Sequence, residues 1–255
     1  MSTLELDKVQ QIQEDEYKFP YHYMDLVNDY ERRIGFLHYY NRLNTVKDLL
    51  GPYTGQSILD AGCGDGRFCY ELRKENVQLT GVDFSEKALA FARAFVPGVP
   101  FIAGDLRTLE LPHKYDGAAM LETVEHIEPS EITSVLEGLA KHLKPGARAV
   151  FTVPSVNVPI LDKHYQHFSA ESFTKALEPV FDVEEILGID VTDGNGKRSE
   201  FKNTVRWAGR KSLLRRIFKG MPDPLNAPEQ IYREYLMKGS PSECNNLVAV
   251  CRNRG

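Results

Sequence analysis

The residues with the most evident chemistry begin with a glycine-rich run, DAGCGDG, at positions 60–66. Glycine has no Cβ, so such a run lets the backbone turn sharply and lets a ligand approach the main chain closely. A helix is predicted just beyond it, and a helix N-terminus offers free N–H groups and the positive end of the helix dipole. Asp83 ends the next apolar run, where a carboxylate can accept hydrogen bonds from both hydroxyls of a ribose. The pattern predicts a nucleoside-binding site; the alternative is a tight structural turn followed by a surface aspartate.

The spacing of the glycines separates this site from one for a dinucleotide. Gly62, Gly64 and Gly66 run Gly-x-Gly-x-Gly, whereas the pyrophosphate-binding fingerprint requires Gly-x-Gly-x-x-Gly. A nicotinamide-dependent oxidoreductase is therefore disfavoured. Asp105, after a third predicted strand, can accept a hydrogen bond from an adenine amino group, or it can simply belong to a loop turn.

A second group of reactive side chains follows the fourth predicted strand. If this segment is helical, Glu122, Glu125 and His126 lie at i, i+3 and i+4 and share one face. Two carboxylates and an imidazole in this arrangement can hold a divalent ion such as Mg²⁺, Mn²⁺ or Zn²⁺, which would acidify an acceptor hydroxyl. A fourth ligand can come from His164 or His167, and His167 completes the predicted metal site. Without a metal, His126 acts as a lone base or as a structural hydrogen-bonding residue.

Apolar runs and helical periodicity alternate around these residues. Five strands are predicted at 57–61, 77–83, 100–104, 115–121 and 147–153, and two more at 181–190 and 246–252. Helical spacing of apolar residues marks 24–50, 67–75, 131–143 and 169–178, and Ser85 is expected to cap a further helix. Strands that alternate with helices predict a parallel sheet with helices on both faces.

The composition is that of a folded globular protein. Of the 255 residues 42% are apolar, and 31 basic against 36 acidic residues give a net charge of −5, which excludes a disordered chain and a strongly basic nucleic-acid binder. No apolar run approaches the roughly 18 residues that span a bilayer, and the acidic first residues do not resemble a secretory signal. The four cysteines show no Cys-x-x-Cys spacing, so a reduced, cytoplasmic protein is expected.

Four successive motifs, at 60–66, 81–83, 104–106 and 143–146, resemble those of class I S-adenosylmethionine-dependent methyltransferases. The resemblance implies an α/β fold with a Rossmann-like, doubly wound, seven-stranded sheet that is mostly parallel with one antiparallel strand and carries helices on both faces. It also implies that S-adenosylmethionine lies across the carboxyl ends of the strands. The expected cofactor-binding residues are Arg42, Asp60, Gly62, Gly64, Asp83, Phe84, Asp105, Leu106 and Leu121.

The resemblance also divides the chain. Residues 56–255 correspond to the methyltransferase domain, with an insertion at about 190–245, and residues 1–55 are expected to form a helical arm and lid. An aromatic cluster at 19–23 suits a lid that excludes water, or ordinary packing of the arm. Arg42 stands at the spacing of an arginine in ubiquinone-biosynthesis O-methyltransferases, which implies a pairing with the methionine carboxylate; the alternative is a solvated helix arginine.

The acid–histidine cluster resembles that of ubiquinone-biosynthesis O-methyltransferases and, more loosely, that of small-RNA 3′-end 2′-O-methyltransferases. The expected function is O-methylation of a hydroxyl on a small-molecule, lipid-linked or glycan precursor. The alternatives are methylation of a ribose at an RNA 3′ end and a non-catalytic S-adenosylmethionine-binding protein. A basic amphipathic stretch at 197–219 can contact an anionic membrane surface, dock RNA or cap the acceptor pocket, or it can pack on the domain itself.

Overall fold

Seven strands form one sheet in the computed structural model, which describes residues 7–26, 37–191 and 239–255 together with Asn203 and Trp207. The strands are β1 (Gln56–Ala61), β2 (Val77–Asp83), β3 (Phe101–Ala103), β4 (Tyr115–Leu121), β5 (Leu143–Pro154), β6 (Phe181–Val191) and β7 (Cys244–Asn253). Their order across the sheet is β3-β2-β1-β4-β5-β7-β6. Strands β1 to β5 pair in parallel, and β7 runs antiparallel to both β5 and β6. The predicted sheet, mostly parallel with one antiparallel strand, is confirmed.

Six α-helices within the described ranges connect and cover these strands. They are α1 (Lys8–Glu16), α2 (Leu37–Leu50), α3 (Arg67–Leu72), α4 (Glu86–Phe95), α5 (Ile132–Lys141) and α6 (Ala170–Leu177). Polar side chains at the N-caps explain where several of them begin: Ser85 Oγ accepts a hydrogen bond from the Ala88 amide at 3.1 Å, as predicted. None of the helices in these described ranges is long and apolar enough to cross a membrane.

The apolar core lies in two layers, one on each face of the sheet. Because side chains alternate along a strand, Ile58 packs into one layer and its neighbour Leu59 into the other. The first layer contains Leu43 of α2 and Leu89 of α4, and the second contains Leu136 of α5. With both faces covered, the carboxyl ends of the strands are left to form a binding crevice. The strand order reverses between β1 and β4, which is where an open α/β sheet binds its ligands.

Three local predictions differ from the structure. The segment after β4 forms only a short 3₁₀ turn, Val124–His126, instead of a helix through Glu122. Strand β5 begins at Leu143, ahead of the predicted 147, because Leu143 pairs with Tyr115 across an irregularity in the β4–β5 ladder. Of the predicted helix 24–50, residues 24–26 belong to the 3₁₀ turn Tyr21–Leu26, and α2 begins at Leu37. Residues 27–36 lie outside the described residues. Most of the predicted insertion at 190–245, including the basic stretch 197–219 apart from Asn203 and Trp207, is likewise outside them.

Candidate cofactor and acceptor site

The loop between β1 and α3 requires glycine at two of the predicted positions. Gly62 and Gly64 have φ angles of 72° and 53°, in the left-handed region that residues with a Cβ rarely adopt. A Cβ on Gly62 would lie 2.4 Å from Thr123 Oγ1, and one on Gly64 would lie 2.7 Å from the Tyr17 hydroxyl. The loop is therefore closed against two neighbouring segments as well as being sharply turned.

Asp83, at the carboxyl end of β2, faces this loop. Its Oδ2 accepts a hydrogen bond from the Gly64 amide at 2.8 Å, and its Oδ1 accepts one from the Ser85 amide at 2.9 Å. Burial raises the pKa of Asp83 to about 6, although these two amides act in the opposite sense. Each carboxylate oxygen has two lone pairs, so Asp83 can still accept hydrogen bonds from a ligand.

Asp105, beyond β3, is held by its own neighbour. Arg107 donates from Nε to Asp105 Oδ2 at 2.8 Å and from Nη2 to the same oxygen at 2.6 Å. Burial alone would raise the pKa of Asp105, but the hydrogen bonds from the side chain and backbone of Arg107 lower it below its ordinary value. Asp105 is therefore ionised at neutral pH and shares its acceptor capacity between Arg107 and any adenine amino group.

Two adjoining cavities open at the carboxyl ends of the strands. The first, which we call the nucleoside cavity, is lined among others by Gly62, Asp83, Phe84, Asp105, Leu106, Thr123 and His126. The second, which we call the acceptor cavity, is lined among others by Tyr17, Arg42, Asp60, Gly62, Gly64, Leu121, Glu122, Glu125, His126 and His164. The structure thus brings all nine predicted cofactor-binding residues to one or other cavity, and Gly62 and His126 line both.

Arg42 and Glu122 form an ion pair at the far side of the acceptor cavity. Arg42 Nη1 lies 2.6 Å from Glu122 Oε2, and Arg42 Nη2 donates to Asn246 Oδ1 at 2.8 Å. Glu122 also accepts hydrogen bonds from Thr152 Oγ1 at 2.9 Å and from Asn246 Nδ2 at 3.1 Å. The backbone of Glu122 is left-handed, with φ 48°.

Glu125 is fully buried, and neither of its carboxylate oxygens has a hydrogen-bond partner within the described part of the chain. Burial, with the negative charge of Glu122 second, raises the pKa of Glu125 well above its ordinary value. Ligand atoms of Glu125, His126 and His164 all lie within 4.8 Å of one another. These three residues can share a proton or hold a cation.

Hydrogen bonds fix which imidazole nitrogens are free. His126 Nδ1 lies 2.8 Å from the Lys163 carbonyl oxygen and must donate to it, so Nε2 keeps its lone pair. In the same way His167 Nδ1 donates to the Val158 carbonyl oxygen at 3.0 Å, and His167 Nε2 accepts from His164 Nδ1 at 2.8 Å. Burial lowers the pKa of His126 to about 4 and that of His164 to about 3, so both are neutral at neutral pH.

The four predicted metal ligands, Glu122, Glu125, His126 and His167, are therefore not brought to one point. Glu122 is paired with Arg42, because the short 3₁₀ turn does not place it on the face of the other two. His167 supports His164 instead of reaching the cluster itself. Of the two histidines that were considered for the fourth position, His164 is the one whose ligand atom converges with Glu125 and His126.

The N-terminal arm, residues 7–23, covers both cavities. Gln10 lines the nucleoside cavity, and Tyr17 lines the acceptor cavity. Among its attachments, Lys163 Nζ lies 2.6 Å from Glu16 Oε2, and His22 Nδ1 lies 2.9 Å from Oδ1 of the fully buried Asp65. That the arm acts as a lid stays a prediction.

Three residues of this region were missed by sequence reasoning, namely Thr123, Lys163 and Asn246. The position of Thr123 could have been predicted from the sequence, because it lies just after β4, and a residue there must face the glycine loop of the neighbouring β1. No sequence pattern indicated Lys163 or Asn246, because each acts through a partner far away in the sequence.

The comparisons with known proteins agree with this geometry. Residues 58–146 match the family described as "Methyltransferase domain". A ubiquinone biosynthesis O-methyltransferase of Vibrio cholerae is 33% identical over 139 residues, which are 51% of this chain and 56% of that protein. One from Alkalilimnicola ehrlichii is 28% identical over 195 residues, 72% of each chain. This chain therefore spans only about half the length of the Vibrio cholerae relative.

The fold also has close structural neighbours. The N-methyltransferase NodS from Bradyrhizobium japonicum, solved in complex with S-adenosyl-L-homocysteine, superimposes with a TM-score of 0.60 at 16% identity, covering 98% of this chain and 100% of that one. At this identity the likeness concerns the fold alone. By its motifs, its domain match at 58–146 and its fold together, the chain is similar to class I S-adenosylmethionine-dependent methyltransferases.

Proposed function

We propose that the protein transfers a methyl group from S-adenosylmethionine to a hydroxyl of a small-molecule acceptor. The observation that carries the proposal is the junction of the two cavities, where Gly62 and His126 line both. A nucleoside held by Asp83 on one side would present its reactive end to the acid–histidine cluster on the other. When bound, S-adenosylmethionine supplies an already activated methyl group, so the protein has mainly to position the reactants and exclude water.

His126 is the proposed general base. Its Nδ1–H is committed to the Lys163 carbonyl, which leaves the Nε2 lone pair free to take a proton from an acceptor hydroxyl. Burial keeps the ring neutral and therefore able to accept this proton. The adjoining Glu125, whose pKa is raised by burial, can share this proton with the imidazole.

A more specific form of the same proposal adds a divalent ion at the acid–histidine cluster. Glu125, His126 and His164 fit one, since the Glu125 carboxylate is buried without a hydrogen-bond partner in the described ranges and two neutral imidazole lone pairs lie beside it. Two nitrogens and one carboxylate suit Zn²⁺ or Mn²⁺ better than Mg²⁺. Such an ion would supply Lewis acidity toward the acceptor oxygen.

The mouth of the acceptor cavity favours a partly apolar acceptor. Val156, Ile160 and Leu161 are 60%, 58% and 50% exposed, and Leu161 lines the cavity itself. Exposed apolar side chains beside a polar pocket are typical of a surface that receives an apolar ligand. This supports a lipid-linked or aromatic small molecule. The membrane-contact hypothesis depends on 197–219 and the RNA hypothesis depends on it in part; apart from Asn203 and Trp207, this stretch lies outside the described residues.

The test is incubation with radiolabelled S-adenosylmethionine and fractionated pools of hydrophobic metabolites, polar metabolites and RNA. Label is expected in the hydrophobic pool, on oxygen. His126→Gln should reduce the rate about 10²–10⁴-fold while binding of S-adenosylmethionine is retained, because only the proton transfer is lost. His113→Gln, at an exposed histidine remote from both cavities, is the matched control.

The outcomes separate the alternatives. Label in the RNA pool alone would favour the ribose methyltransferase, and tight cofactor binding with no label in any pool would favour a non-catalytic protein. A chelator that abolishes turnover, with recovery on adding Zn²⁺ or Mn²⁺, would support the metal. Full activity in a chelated preparation would leave His126 as the base without an ion.

A further inference from the structure

Arg42 is a buried cation with an unused donor. Only 7% of the residue is exposed, and two of its nitrogens are engaged by Glu122 and Asn246. Its third nitrogen, Nε, is buried and has no hydrogen-bond partner among the residues that the structure describes. A buried N–H group without a partner is costly, so it calls for an acceptor. Arg42 lines the acceptor cavity close to Gly62 and Gly64, where that acceptor would be a ligand.

Glu122 and Asn246 close a ring around the guanidinium. Asn246 Oδ1 accepts a hydrogen bond from Arg42, and Asn246 Nδ2 donates one to Glu122. The amide of Asn246 can bind a cation and a carboxylate together only in this orientation. Thr152 donates to the other oxygen of Glu122. Both carboxylate oxygens of Glu122 are thus occupied, Oε2 by Arg42 and Asn246 and Oε1 by Thr152, which argues against Glu122 as a base or a metal ligand.

The backbone of Glu122 supports the same conclusion. A glutamate at φ 48° is in a conformation that residues with a Cβ rarely adopt, and the Glu122 amide is tied to the Thr152 carbonyl oxygen at 3.0 Å. Unfavourable backbone conformations persist where the surroundings hold them, and they concentrate at functional sites. Here the conformation turns the Glu122 side chain toward Arg42.

We propose that Glu122 and Asn246 are positioning residues that hold Arg42 for the carboxylate at the amino-acid end of S-adenosylmethionine. This inference rests on the proposed function, and it adds a task for the C-terminal strand β7, which carries Asn246. Without the ring, the flexible guanidinium would lose its fixed orientation and with it part of its hydrogen bonding to a planar carboxylate.

The experiment compares two ligands by calorimetry on the full chain. S-adenosylmethionine carries the carboxylate, whereas 5′-methylthioadenosine keeps the adenosine and the methylated sulfur, as a neutral thioether in place of the sulfonium, and lacks the amino-acid part. Glu122→Gln and Asn246→Ala should each weaken S-adenosylmethionine binding about tenfold and change methylthioadenosine binding less than twofold. Thr152→Val nearly preserves the shape of the side chain and removes its hydroxyl. It should weaken S-adenosylmethionine binding a few-fold, and it remains informative if the first two variants fold poorly.

Asn245→Ala is the matched control, because it removes the same kind of side chain from the neighbouring position of the same strand, where the side chain donates to Asp190. It should leave both affinities unchanged. Equal weakening of both ligands by Thr152→Val and Asn246→Ala would mean that the ring merely supports the fold, and unchanged affinity for S-adenosylmethionine would also overturn the inference. A wild-type protein that binds neither ligand would instead overturn the proposed function.

Discussion

We expect cofactor binding to depend on pH through Asp83, the residue proposed to hold the ribose. Its carboxylate must be ionised to accept two ribose hydroxyls, and burial raises its pKa to about 6. Affinity for S-adenosylmethionine is therefore full above this pH and falls as the pH drops through it, by up to roughly tenfold per unit. Calorimetry between pH 5 and pH 8 checks this. Asp60 is a second buried carboxylate in the same pH range, because burial raises its pKa to about 7. If Asp83 is the group responsible, the pH dependence should be lost in Asp83→Asn and kept in Asp60→Asn.

Alanine substitutions at Gly62 and Gly55 distinguish the cost of a left-handed backbone from the cost of a steric clash. Both have left-handed backbones, with φ 72° and 75°, but a Cβ on Gly62 would strike Thr123 whereas one on Gly55 would meet nothing within 4 Å. Gly55→Ala should cost about 1–2 kcal/mol in the free energy of unfolding, for the backbone alone. Gly62→Ala should cost about 1–3 kcal/mol more and should weaken binding of S-adenosylmethionine. Urea denaturation measures both, and equal losses would contradict the close contact with Thr123.

At the scale of elements, the arm contacts the glycine loop at several points, and His22 supplies a side-chain contact. Its Nδ1 lies 2.9 Å from Oδ1 of the fully buried Asp65, which lies inside the loop between Gly64 and Gly66. His22→Ala removes this hydrogen bond to a carboxylate, worth about 1.5–3 kcal/mol. Amide exchange over residues 7–23 should become about tenfold faster or more, while exchange in β1 and β4 stays as it was. His113→Ala serves as the control, and an unchanged arm would show that its other contacts suffice.

The elements were predictable where the signal is local. The strands β1, β2 and β4 and the glycine loop follow from runs of a few residues, and these runs place Asp83 and Leu121 at the crevice. The direction of Glu122 was not predictable, because it depends on Arg42 and on Asn246, which is 124 residues away. The choice between His164 and His167 likewise depended on a hydrogen-bond chain that ends at the Val158 carbonyl. Helical periodicity alone gave the wrong face for Glu122.

For the whole molecule, ligand binding should appear as thermal stability. A ligand at about 100 times its dissociation constant stabilises the folded state by about 2.7 kcal/mol. For a chain of this size that corresponds to a rise of roughly 5–10 °C in the melting temperature. S-adenosylmethionine should produce this rise, and NAD at the same concentration should not, because the glycine spacing does not suit a pyrophosphate. A larger shift with NAD would contradict the assignment of the nucleoside cavity.

The position of β7 has a consequence for how the protein is made. Arg42 and its partner Asn246 are 204 residues apart, and β7 enters the sheet between two strands that are synthesised before it. At a translation rate of roughly 5–20 residues per second, about 10–40 s pass between the synthesis of the two residues. During this time β5 has an unpaired edge, which is open to pairing with another chain. The ring around Arg42 is therefore among the last contacts a newborn chain can form, so an incomplete chain lacks the proposed anchor for the cofactor carboxylate.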